Sequence, residues 1–180
     1  GIVKFNSTVY DREDLNGERK LNSIEIYSKD NLNVPIKRFN FSYSYFNAEV
    51  YGDWETNLDA TKKKRLRLDS FTEEGKAPYE FQYSSIPLPP IHSFRQDHWG
   101  FFNDEKLNVN LIQRETFNGI ELGGANRTPN PAVVTAGMLE YIYYPTGGHT
   151  HFIFEAHDYL EISSNAVAKQ IQTFGFTPAL

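Results

Sequence analysis

The stretch Leu139-Glu140-Tyr141-Ile142-Tyr143-Tyr144, followed by Pro145-Thr146-Gly147-Gly148 and closing on Phe152-Ile153-Phe154-Glu155, carries the clearest structural signal in the chain. Aromatic and β-branched residues dominate it, and they suit a pleated, half-buried surface better than a helix. Phe152 and Phe154 alternate with period two, which places both rings on one face of a strand. Between the two runs, Pro145 through Gly148 carry the turn chemistry of a tight reversal, with glycine where φ must be positive. The reading is a β-hairpin.

Two other segments repeat this grammar. Leu21-Asn22-Ser23-Ile24-Glu25-Ile26 precedes a polar stretch and Phe39-Asn40-Phe41-Ser42-Tyr43. Leu68-Asp69-Ser70-Phe71 precedes Glu74-Gly75-Lys76 and Tyr79-Glu80-Phe81-Gln82-Tyr83. Each is a Leu-x-x-apolar strand, a turn and an aromatic-x-aromatic strand, and three such units predict an antiparallel sheet. Ile2-Val3-Lys4-Phe5, extended through Ser7-Thr8-Val9-Tyr10, supplies a leading strand ended by Asp14-Leu15-Asn16-Gly17. Residues 46–60 read as a polar loop containing Trp54. From 86 to 135 the alternation fades: Pro87, Pro89 and Pro90 remove strand donors, and Asn118-Gly119, Gly123-Gly124 and Pro129 to Pro131 punctuate the rest. That region is a long irregular insertion, and insertions of this length often carry function. Asn130-Pro131 is placed to cap a short helix over 132–136, with Gly137 just past its end. The tail stays open between a helix over 164–172 and a strand through Phe174-Gly175-Phe176.

The expected architecture is therefore all-β. It is a single domain over 1–180, a twisted antiparallel meander of hairpins curling into an open barrel or shell, with a β-sandwich as the alternative. The chain has 180 residues, and a folded chain of that size buries roughly 70% of the surface its unfolded form exposes. An aromatic content of 15% argues against disorder. No apolar run reaches the ~20 residues of a membrane-spanning helix. With 18 Lys plus Arg against 23 Asp plus Glu, the formal net charge is -5, which lacks the basic footprint of a duplex nucleic-acid binder. The chain has no cysteine, so it has neither a disulfide framework nor a thiol nucleophile. The opening Gly1-Ile2-Val3-Lys4-Phe5 reads directly as strand, with neither a basic nor an apolar leader, and suggests a piece of a longer protein.

Several residues are candidates for chemistry. His149 and His151 lie two apart on an expected strand, so both imidazoles share one face, as a His-x-His metal site requires; His157, Asp158 or Glu155 would complete it. The competing reading is an ordinary polar face of a hairpin. Asp97-His98-Trp99 invites an acid–base pair, but neighbours on an extended chain point in opposite directions. The favoured reading has Trp99 and Phe101-Phe102 plugging the sheet. Lys62-Lys63-Lys64-Arg65-Leu66-Arg67 is the one basic run, and Arg65 and Arg67 are expected on the solvent face of a strand, where charge also protects an edge. Trp54 and Trp99 are the candidate aromatic platforms for a sugar. No serine sits in a Gly-x-Ser-x-Gly elbow, and Gly123-Gly124 has no phosphate-loop context. The Asn-x-Ser/Thr triplets at Asn6, Asn40 and Asn126 are read as chance.

The hairpin string from Leu139 to Glu155 resembles the unit of RHS/YD-repeat proteins. More specifically, the chain is similar to long YD-repeat-like surface proteins of Gram-negative gut-type bacteria. The resemblance is carried by the stretch from Ile36 to Phe46, by Arg65-Leu66-Arg67-Leu68-Asp69-Ser70 and by Gln96-Asp97-His98-Trp99-Gly100-Phe101-Phe102-Asn103, in this order. It covers about Val3 to Tyr159, although Asp158-Tyr159 stands in reversed order to the YD signature. It implies an exported, cell-surface or extracellular structural or interaction segment whose partners are flanking repeats. It carries over no catalytic residue and no cofactor. A glycan-binding surface module and a metal-dependent enzyme at the His-x-His pair are the alternatives.

Overall fold

The computed structural model describes residues 1–162 and 168–176, with side-chain surroundings through Ala156. Among the described residues eleven strands follow one another: β1 (Ile2–Val9), β2 (Arg19–Tyr27), β3 (Lys37–Asn47), β4 (Lys64–Glu73), β5 (Tyr79–Tyr83), β6 (Glu115–Phe117), β7 (Ile120–Leu122), β8 (Leu139–Tyr143), β9 (His149–His151), β10 (Phe154–Ile162) and β11 (Ala168–Phe176). One turn of helix, α1 (Gly52–Thr56), and a 3-10 turn over Ala60–Lys63 interrupt them. The protein is all-β and divides into two compact units. The first comprises 1–47, 59–83 and 139–151; the second comprises 48–58, 84–138 and 152–180.

The first unit is a seven-stranded antiparallel sheet in the order β1-β2-β3-β4-β5-β8-β9. It is an open meander, not closed into a barrel. The first two expected hairpins form as read: Ile24 pairs with Phe39, and Phe71 with Tyr79. The third is shorter than expected. Gly147 and Gly148 take φ of 85° and 78°, and the Tyr144 amide donates to the Gly148 carbonyl at 3.2 Å. Pairing therefore begins at once, His149 opposite Tyr143, and the return strand is His149–His151. Phe152 and Ile153 fall outside it, and Phe154 opens β10 instead.

One face of the sheet carries stacked rings. Phe71 lies 5.5 Å from Phe39, 5.3 Å from Phe41 and 5.7 Å from Tyr79, and Tyr79 meets Tyr144 edge-on at 5.9 Å. These rings come from three strands and from Tyr144 just past the end of β8, and cross-strand aromatic pairs of this kind are the unit of sheet stabilisation. The segment after β1 is tied down by Asp14. Its carboxylate takes a bidentate pair from Arg12 at 2.6 and 3.0 Å and the Leu66 amide at 3.1 Å.

The second unit holds the region expected to be irregular. It contains the two-residue hairpin of β6 and β7, turned by Asn118 and Gly119 at φ of 51° and 77°, the positive pair that a type I′ turn demands. The helix expected over 132–136 does not form. Asn130 does accept the Ala132 amide at 3.1 Å, but the chain then runs as consecutive three-residue turns, Val133 to Asn130 and Ala136 to Val133. Gly137 is obligatory here: its φ is +74°, and a Cβ would meet Leu88 Cδ1 at 2.7 Å. The short helix lies instead at α1, inside the stretch read as a polar loop. The tail resolves as a strand, β11, paired along its length with β10, while 163–167 lie outside the described residues.

Candidate functional site

The register of the sheet assembles a row of side chains that no single strand contains. Ser70 of β4 stands opposite Glu80 of β5, Glu80 opposite Tyr143 of β8, and Tyr143 opposite His149 of β9. A second row runs Gln82, Tyr141, His151. Residues directly opposite on neighbouring strands share a face, so these groups form one continuous surface. Within it lies a cleft of about 410 Å³ lined by Arg67, Asp69, Ser70, Glu80, Phe81, Gln82 and Tyr143.

A regular strand would send Asp69 and Ser70 to opposite faces. They line one cleft because β4 bulges there: Ser42 pairs with Ser70 and Tyr43 with Leu68, leaving Asp69 without a register partner. An extra residue of this kind re-aims its side chain, a device common beside binding sites. The re-aimed carboxylate is then held, accepting from Arg67 Nε at 2.8 Å and Ser44 Oγ at 2.9 Å. Arg67 lies 5.4 Å over the Phe46 ring and 6.0 Å over Tyr83. Burial raises the Tyr83 phenol above its ordinary value, and the Asp69 charge adds to this, so Tyr83 keeps its proton and donates to the Leu68 carbonyl at 2.8 Å. The basic run is thus not a solvent-facing stripe. Arg65 and Arg67 are half-buried, and burial draws the Arg65 guanidinium below its ordinary value.

His149 and His151 do share a face, as the two-residue spacing requires. They engage a ring: His151 stacks on Tyr141 at 4.1 Å and 6°, and His149 lies 5.6 Å from both Tyr141 and Tyr143. Among the described residues no group of three or more His, Cys, Asp or Glu is arranged to hold a metal. The side chain of His157, on β10, lies outside the described residues.

Trp54 and Trp99 belong to the second unit and are 52% and 54% exposed. Trp54 stacks on Phe94 at 5.4 Å, and Trp99 meets His98 edge-on at 6.1 Å. Trp99 and Phe101 are therefore not buried, although Phe102 is half-buried with Arg95 5.4 Å over its ring. Asp97 explains why. Its buried carboxylate accepts the Trp99 and Phe101 amides, each at 2.9 Å, which curls this segment into a turn and leaves both rings outside. The same contacts dispose of an acid–base role for Asp97 toward His98, because the carboxylate serves backbone amides. Neither tryptophan lines a second cleft of about 410 Å³ in this unit, whose walls include Glu105, Asn108, Arg114 and Arg127.

Sequence reasoning missed the most buried charged group among the described residues of the second unit. Arg95 is 1% exposed. Its guanidinium donates to both Glu55 carboxylate oxygens, at 3.1 and 2.9 Å, to Asp104 at 3.0 Å and to the Glu49 carbonyl. Glu55 in turn accepts the Tyr51 amide at 2.7 Å and the Ser93 hydroxyl. No spacing signals a pair forty residues apart; the one hint was an arginine inside a proline-rich, otherwise uncharged stretch. Arg95 is fully engaged within its own unit and lines neither of the two clefts described above, which marks it as structural.

The chain matches no family model, no curated protein and no solved structure.

Proposed function

We propose that the chain is a non-enzymatic structural or interaction segment of a large exported YD-repeat-like protein, and that its sheet continues into flanking repeats. The observation that supports this is the state of β1. It ends the sheet order, so its outer edge pairs with no strand among the described residues. Its apolar side chains are open as well: Ile2, Val3 and Phe5 are 42%, 52% and 68% exposed. A long edge with apolar side chains is a template for a further strand, and proteins that must stay apart normally blunt it with charge, proline or a cover. β1 carries one internal charge, Lys4, whose ammonium sits 4.3 Å over the Tyr27 ring.

The test is self-association of the chain by light scattering over a wide concentration range, with Val3→Lys and Phe5→Lys as edge variants. Concentration-dependent dimers that the variants abolish support edge pairing. A monomer at every concentration, with stability indifferent to Phe5→Lys, overturns it. The exposure of Trp54 and Trp99 favours a second reading, a glycan-binding surface module. Protection of their fluorescence from acrylamide by a polysaccharide would support that reading, and unchanged quenching would sink it.

A further inference from the structure

We infer that the cleft across β4, β5 and β8 is a binding site for an uncharged pyranose, with Tyr143 as its stacking wall and Glu80, Asp69 and Gln82 as its hydroxyl-binding groups. The inference stands apart from the scaffold reading, whose test is oligomeric state, and it places the sugar on residues other than the two tryptophans.

The chemistry of the walls selects the ligand. A pyranose has an apolar C–H face and a rim of hydroxyls, so its site needs one flat ring beside several fixed polar groups. Tyr143 supplies the ring. Its hydroxyl is anchored on Gln82 Oε1 at 3.0 Å, and Tyr141 backs it at 5.8 Å and 16°, with His151 stacked beyond Tyr141 at 4.1 Å. The wall is therefore held in place before a ligand arrives, which lowers the cost of binding. Glu80 is exposed and in register with Tyr143, and its carboxylate makes no hydrogen bond or ion pair among the described residues. Asp69 is fixed through one oxygen, Oδ1, by Arg67 and Ser44. A carboxylate acceptor can take two neighbouring hydroxyls at once.

Other ligands fit worse. Within the cleft Arg67 is already paired with Asp69, so the unpaired Glu80 leaves it net negative and hostile to phosphates, uronates and nucleic acid. A wholly apolar ligand would strip water from Arg67, Asp69 and Glu80 without replacing their hydrogen bonds. The rows from Ser70 to His149 cross four strands, about 14 Å at the usual strand spacing. That is longer than one sugar ring, so an oligosaccharide lying across the strands uses the surface best.

The experiment is calorimetric titration of the full chain with cello-, xylo-, malto- and chito-hexaose. At least one is expected to bind. Tyr143→Ala and Glu80→Gln should each weaken that ligand at least tenfold, whereas Trp54→Ala and Trp99→Ala should leave it unchanged. Glu80→Gln alters an exposed side chain and keeps the variant folded even if Tyr143→Ala does not. Failure of all four hexaoses to bind, retention of affinity in Glu80→Gln, or a loss confined to the tryptophan variants would each overturn the assignment.

Discussion

The seven-stranded sheet and the stretch from Ser84 to Met138 satisfy the same backbone with opposite means. In the sheet, neighbouring strands supply the amides and carbonyls with partners, and side chains are left free to stack. The rings of Phe39, Phe41 and Phe71 need only touch one another, and Tyr27 is the one buried apolar side chain there among the described residues. In the second region ladders are few, so each buried amide and carbonyl needs an individual partner. Side chains provide them. Asn103 donates to the carbonyls of Asn126 and Thr128; Asn108 donates to those of Phe94 and Asn126 and accepts the Asn126 amide at 2.7 Å. Among the described residues the largest fully buried side chains are accordingly Arg95, Pro90 and Ser93, with no large apolar residue among them. Apolar contact tolerates small misplacements, whereas a polar lattice in low dielectric does not.

That difference can be broken first at Glu55. Removing one partner of a buried ion pair costs ~3–5 kcal/mol, because the remaining charge is left uncompensated. Glu55→Ala is expected to lower stability by about that amount, with amide-exchange protection lost across 84–138 and retained in β2, β3 and β4. Uniform loss across both regions would mean that the polar centre does not govern its own unit.

Phe71→Ala probes the other side of the comparison. Phe71 touches three rings but is only half-buried, so the loss should fall short of a full core deletion, at ~2–3 kcal/mol. Chemical denaturation measures it. A loss as large as that of Glu55→Ala would show that half-exposed rings stabilise this sheet as much as a buried ion pair holds the insertion.

The smallest effect is expected with pH. Burial alone would raise the Asp14 carboxyl, but its hydrogen bonds from Arg12 and the Leu66 amide outweigh that and hold it below the ordinary value of 3.8. A carboxyl lowered on folding contributes stability that is fully present above the unfolded value and is lost as pH falls through the folded one. Thermal stability should therefore decline as pH drops below about 3.8, and Asp14→Asn should remove that part of the decline. An unchanged pH profile in Asp14→Asn would show that the Arg12 pair does not anchor the segment after β1.

Legibility followed the same division. The β2–β3 and β4–β5 hairpins were readable because period-two aromatics and a turn lie within a few residues of one another. The third was read one step too long, since Phe152-Ile153-Phe154 carries the same alternation as a true return strand. The tight turn at Gly147 and Gly148 starts the pairing at His149, and β9 stops at His151, before those rings. Trp99 was read as a plug because large rings are usually buried, yet the neighbouring Asp97 carboxylate caps the turn and holds the ring outside. The three-residue turns after Asn130 carried every local sign of a helix except the following hydrogen bond.

An antiparallel all-β chain, the positions of most strands and the turns between them are written in local chemistry, because side-chain alternation and positive-φ glycines act over a few bonds. Strand register and long-range packing alone put Ser70, Glu80, Tyr143 and His149 in one row, bring Asp69 beside Ser70 through a bulge, and join Arg95 to Glu55. Those outcomes depend on register and on partners many residues away. A hydrogen bond between distant groups leaves no local periodicity to read.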